Sequence, residues 1–321
     1  MAFDAIQLAN VLMPYSARKV ALGKRDGLRF VHYTSADVGL RIAKSGKISL
    51  RNALAMNDYS EIQHGQICLE LSLSSGVGAA TAKNALDEIV PGAWDAAYQL
   101  YQNVKGTYEK DCYIFCLSEH GGGAIDEDLY GRLSMWRAYG GDTNVAIVLN
   151  NTPFFAETYA IPAFTSPVLY ADETGFDVQF LGLADSIKTN AEILASAGAI
   201  VVAKVLYGAF IFSTLSTKHP GFSEEREWRI IHMPVQLGSD RIASEIVTWG
   251  GVPQKVYHVE MKNYPEEGFI GAELNEVLSE VIIGPTQTPE IIRNAYVEIL
   301  EDLDVIGANE RVKISGIPLR K

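Results

Sequence analysis

The sequence predicts an α+β fold built on a mixed β-sheet core with a helical insertion. Three observations carry this. Short, largely apolar stretches at 28–33, 112–118, 145–149, 227–233 and 280–284 have strand length and composition. Between 76 and 110 the apolar period lengthens to that of helices. Near the C-terminus a strand, a helix and a strand follow one another as in a βαβ unit, which requires a parallel pair. Strands and helices mix without the strict alternation of a doubly wound sheet.

In order along the chain, residues 28–33 (Leu-Arg-Phe-Val-His-Tyr) read as a strand. Thr34 or Ser35 offers an N-cap to a helix carrying Val38, Leu40, Ile42 and Ala43, and Gly46 ends it. Lys47 to Leu50 is a second strand, and Asn52 to Glu61 is turn-like. The 76–110 insertion places Trp94, Tyr98, Tyr101 and Tyr108 near one helix face, a core stripe expected to pack against the body of the protein. The strand at 112–118 leads into Glu119-His120-Gly-Gly-Gly, read as a flexible loop. A helix is expected over 183–197, whereas the apolar segment 199–212 fits either helix or strand. The tail gives strands at 256–261, 280–284 and 311–315, with a helix opened by Thr288-Pro289-Glu290.

With 321 residues, 48% hydrophobic and 21% charged, the chain has the composition of a globular protein rather than a disordered or fibrous one. The expectation is a single domain over 1–321, with 76–110 inserted in it. A net charge of −12 disfavours coating of a nucleic-acid backbone. Three cysteines without paired spacing argue for reduced thiols in a core, and no metal is expected. The opening residues have no leader pattern and no apolar run is long enough to span a bilayer, so a cytoplasmic protein without a membrane partner is expected.

Three polar clusters sit at expected strand ends and turns, where scaffolds present functional groups. The first is Arg29, His32, Tyr33, Thr34 and Ser35. In an extended chain His32 shares a face with Phe30, which suits either a core histidine bonded to a carbonyl or a neutral imidazole that meets a ligand. The second is Ser134-Met135-Trp136-Arg137-Ala138-Tyr139. An arginine beside a tryptophan suits phosphate clamping with stacking on a planar ring, or else simple packing. The third is Glu225-Arg226-Glu227-Trp228-Arg229. Alternation puts Glu225, Glu227 and Arg229 on one face, either solvated or lining a polar cleft, because unpaired burial costs too much. Glu119, Asp126, Asp128, Glu225 and Glu227 raise a divalent-metal alternative, although their spacing is not diagnostic.

These clusters, with Met56-Asn57-Asp58, Cys116-Leu117-Ser118-Glu119 and Ile282-Ile283-Gly284-Pro285, resemble a bacterial family known as domain-of-unknown-function family 2971 (DUF2971). More distantly, His32-Tyr33-Thr34-Ser35 before a short helix and a strand is similar to the opening of ADP-ribosyltransferase-like folds. That resemblance implies an enzyme cleaving NAD as substrate and passing ADP-ribose to an acceptor it leaves open, protein, nucleic acid or small molecule, in a bacterial defence or toxin setting. It implies catalytic roles for Glu227, Glu225 and His32, with Glu227 facing the ribose. Arg29, Tyr33, Thr34, Tyr59, Trp136, Arg137, Tyr139 and Arg229 are the corresponding NAD-binding candidates, the middle aromatic being Tyr59, Tyr33 or Tyr139. A non-catalytic nucleotide- or ligand-binding module and a metal-dependent nuclease stand as alternatives.

Overall fold

A computed structural model describes residues 5–55, 59–121, 125–238, 240–249 and 251–318; the side chains of 59–61 and 125 are outside that description. Met56-Asn57-Asp58 and two of the three loop glycines, Gly122 and Gly123, therefore lie outside the described residues, and so does the Tyr59 side chain.

The strands are β1 (Arg29–Ser35), β2 (Lys47–Asn52), β3 (Tyr113–His120), β4 (Thr143–Leu149), β5 (Phe164–Pro167), β6 (Leu169–Tyr170), β7 (Thr217–Lys218), β8 (Glu227–His232), β9 (Ala243–Trp249), β10 (Val252–Glu260), β11 (Leu278–Thr286) and β12 (Val312–Ile314). The helices are α1 (Ala5–Leu12), α2 (Pro14–Arg25), α3 (Ala36–Ser45), α4 (Tyr59–Ser75), α5 (Val77–Ile89), α6 (Ala93–Val104), α7 (Ile125–Tyr130), α8 (Leu133–Tyr139), α9 (Glu173–Thr189), α10 (Ala191–Ala197), α11 (Ala199–Leu215), α12 (Leu274–Val277), α13 (Pro289–Asp302) and α14 (Ala308–Arg311). The chain divides into two compact units, one of residues 1–22, 52–112 and 166–224, the other of residues 23–51, 113–165 and 225–321.

The second unit holds a sheet in the order β12-β11-β4-β1-β3-β2-β10-β9, with β8 joined to β3 and β5 to β8. Its β1–β3, β1–β4, β3–β8 and β4–β11 pairs are antiparallel and β11–β12 is parallel, so the sheet is mixed. The parallel pair flanks α13, whose first residue is Pro289, as the strand-helix-strand pattern requires. Ser35 occupies the N-cap of α3 with extended dihedrals, although its hydroxyl bonds Asp37 Oδ1 at 2.6 Å rather than a backbone amide. Gly46 closes α3 in the left-handed region, φ 59°, donating its N–H to the Ile42 carbonyl.

The first unit is helical, and its helices reach well beyond the expected 76–110 stretch. The ambiguous segment at 199–212 is part of α11, whose residues are apolar around much of the circumference because α6 and α4 pack on it. Trp94 and Tyr101 are buried, with ring contacts from Trp94 to Phe180 and Phe210 and from Tyr101 to Phe210 and Tyr108. Trp94, Tyr101 and Tyr108 of the aromatic stripe are thus core within this unit, while Tyr98 is half-buried. No single helix among the described residues is long and apolar enough to cross a membrane; α10 and α11 meet that test only together, across a 112° bend.

A candidate site on one face of the sheet

Residues that pair across antiparallel strands project to the same face, and neighbours along a strand alternate. Val31 pairs with Ser118 and Ser118 with Glu227, so Arg29, Val31, Tyr33, Ser118, His120, Glu227 and Arg229 share one face. Val148 pairs with both Val31 and Glu280, and Ile282 with Lys313, which adds Glu280 and Lys313 to that face. Phe30, His32, Leu117, Glu119 and Trp228 project to the other.

This register corrects the expectation that His32 and Glu227 meet at one ligand. His32 stacks on Phe115 at 4.4 Å, and its Nδ1 lies 3.1 Å from the Cys116 carbonyl, where β3 runs beyond its pairing with β1. Enclosure pushes its pKa down to about 4, the bond to Cys116 offsetting only part of that, which is the behaviour of a core histidine. Glu225 does not continue the strand alternation either. Arg226 has φ 45°, which breaks the extended run, and Glu225 ends a 3-10 turn before β8. Its carboxylate instead accepts from the Tyr139 hydroxyl at 3.0 Å.

Trp136 is also corrected: it is 2% exposed and stacks edge-on against Tyr33 at 4.7 Å, within a core of Val31, Met135, Ala146, Val148 and Ile282. Its Nε1 donates to the Tyr130 carbonyl. Tyr33 is buried beside it, its hydroxyl accepting from the Arg132 amide at 2.9 Å, and Thr34 is buried as well. These rings hold α8 on the sheet and have no surface left for a nicotinamide. Arg137 is exposed on α8. Glu227 and Arg229 are both buried and paired at 2.7 Å, so that strand face is neither solvated nor unpaired.

Where the same face reaches solvent, a cluster forms that the sequence pattern did not assemble. His120, the last residue of β3 rather than part of a loop, is buried, with Nε2 3.3 Å from Asp128 Oδ1 on α7 and 3.6 Å from Glu280 Oε1 on β11. Arg29 Nη2 lies 2.5 Å from Asp128 and its Nη1 3.3 Å from Glu280, while Lys313 pairs with the other Glu280 oxygen. Burial raises the Glu280 pKa, but the His120 ring, the Lys313 ammonium and the Arg29 guanidinium outweigh it and bring the value down to about 2. Asp128 and Lys313 are about half exposed, whereas Glu280 and His120 form the floor. The sequence offered two signals, Arg29 among the nucleotide-binding candidates and Asp128 among the acidic residues after the glycines; Glu280 and Lys313 lie in apolar strands where nothing marks them.

A family model described as "Protein of unknown function (DUF2971)" matches residues 135–230. No curated protein and no solved structure matches the chain. The matched stretch runs from α8 through most of β8 and contains Trp136, Tyr139, Glu225 and Glu227; His32 and His120 lie outside it.

Proposed function

We propose that the protein is an enzyme acting on a phosphate-bearing substrate, a nucleotide in the first instance, at the site built around His120. The observation that carries this is the imidazole itself: it is buried, yet neither ring nitrogen makes a hydrogen bond. A histidine retained for packing satisfies its ring with a carbonyl, as His32 does with Cys116. His120 instead faces two carboxylates, with the Arg29 guanidinium on the same two oxygens. Arg29 and Lys313, at the open side, are the groups that meet an anion.

A second reading, ADP-ribosyl transfer from NAD by an ADP-ribosyltransferase-like site, is favoured by one observation. Glu227 is a buried carboxylate on a sheet strand, oriented by Arg229, on the same face as Tyr33. Such a group suits stabilisation of positive charge developing on a ribose.

One assay separates the two. Water added across the pyrophosphate of NAD gives nicotinamide mononucleotide and AMP, whereas cleavage of its glycosidic bond gives nicotinamide and ADP-ribose. Mass spectrometry of NAD and other nucleotides incubated with the protein is expected to show phosphate-bond cleavage, reduced about 10²-fold or more in His120→Ala and retained per folded molecule in Glu227→Gln. Nicotinamide release abolished by Glu227→Gln supports the second reading. Intact nucleotides throughout overturn both.

A further inference from the structure

We infer that His120, Asp128 and Glu280 bind a divalent transition-metal ion. This rests on the same site as the proposed activity and adds the ion on which that chemistry would turn. The three donor atoms come from β3, α7 and β11 and lie within 4.8 Å of one another. Donors bonded at about 2.0–2.1 Å in a tetrahedron stand roughly 3.3–3.4 Å apart, and His120 Nε2 lies 3.3 Å from Asp128 Oδ1 and 3.6 Å from Glu280 Oε1. Those separations are long for hydrogen bonds but match two edges of a metal polyhedron.

The second observation is the unpartnered ring. The His120 side chain is 1% exposed, faces both carboxylates through Nε2, and hydrogen-bonds to neither. Leaving a buried imidazole unsatisfied is destabilising, and a metal bond removes that cost. One nitrogen and two carboxylate oxygens are a donor set for zinc or manganese rather than for calcium.

The neighbouring cations fit around such an ion. Each carboxylate oxygen has two lone pairs, so Arg29 engages Asp128 Oδ1 and Glu280 Oε1 while a lone pair on each remains for the metal. Lys313 holds the other Glu280 oxygen, and together these contacts orient the ligands as outer-sphere partners do. Arg29 and Lys313 already balance the two carboxylates, so a bound dication leaves the site positive. The ligand drawn to it is then an anion, and three protein donors leave a coordination position for a water or a phosphate oxygen.

The test is titration of the full chain with Mn²⁺, followed by electron paramagnetic resonance, with Zn²⁺ in equilibrium dialysis as a second measurement. The expected result is one ion per chain, bound at least ten-fold more weakly by His120→Ala and by Asp128→Asn. Asp128 is half exposed, so its variant keeps the fold and the comparison stands if His120→Ala does not. No bound ion in the wild type, or binding unchanged in Asp128→Asn, overturns the inference. Metal binding without nucleotide turnover upholds the site and removes the enzymatic reading. Turnover that persists after chelation with no ion bound does the reverse.

Discussion

Replacing Trp136 with phenylalanine separates a packing role from a ligand-stacking one. The indole is 2% exposed, meets Tyr33 edge-on at 4.7 Å with an interplanar angle of 82°, and donates from Nε1 to the Tyr130 carbonyl at 2.8 Å. Phenylalanine keeps one ring on Tyr33 but loses that hydrogen bond, a net loss of about 1 kcal/mol. The missing part of the indole also leaves space against Gly131 and Gly284, which costs roughly a further 1–2 kcal/mol. A loss of about 2–3 kcal/mol corresponds to a fall in melting temperature of roughly 5–10 °C for a domain of this size. Urea unfolding, read as the midpoint at unchanged slope, measures it, and nucleotide binding by the folded variant is recorded alongside. A midpoint equal to that of the wild type, together with loss of nucleotide affinity, would refute the assignment of Trp136 to the core.

Two further outcomes follow from the same packing and burial. Gly284→Ala points a methyl group into Trp136 and Asn144, whose atoms stand 2.7 and 2.8 Å from the added Cβ; melting should show about 1–3 kcal/mol of destabilisation. Gly182→Ala on α9, with nothing within 4 Å, should instead gain a few tenths to 1 kcal/mol. The His32 pKa is depressed from 6.5 to about 4 in the folded chain, so the unfolded chain binds the extra proton between those values. Stability is therefore unaffected by this group above about pH 6.5 and falls as pH drops toward 4, by at most about 3 kcal/mol. His32→Gln should flatten that part of a stability curve measured from pH 7 to 4.5, and identical slopes for the two proteins would show that the ring is not enclosed.

The local features were legible because they are written in short-range chemistry. Alternation marks β1, glycine in the left-handed region ends α3 at Gly46, and Pro289 opens the helix that makes β11 and β12 parallel. The same alternation correctly places His32 with Phe30 and Glu227 with Arg229. What alternation within a strand cannot supply is the register between strands, which depends on contacts far apart in sequence. That register alone sets His32 and Glu227 on opposite faces and joins Val31, Ser118 and Glu227 on one. Glu225 left its expected face through one backbone torsion at Arg226, beyond the reach of a period-two count. The site at His120 is the extreme case: Arg29, His120, Asp128, Glu280 and Lys313 come from four strands and one helix, separated by up to 284 positions. Each looks ordinary in its own segment, and their charges acquire meaning only when the sheet buries the imidazole between the two carboxylates.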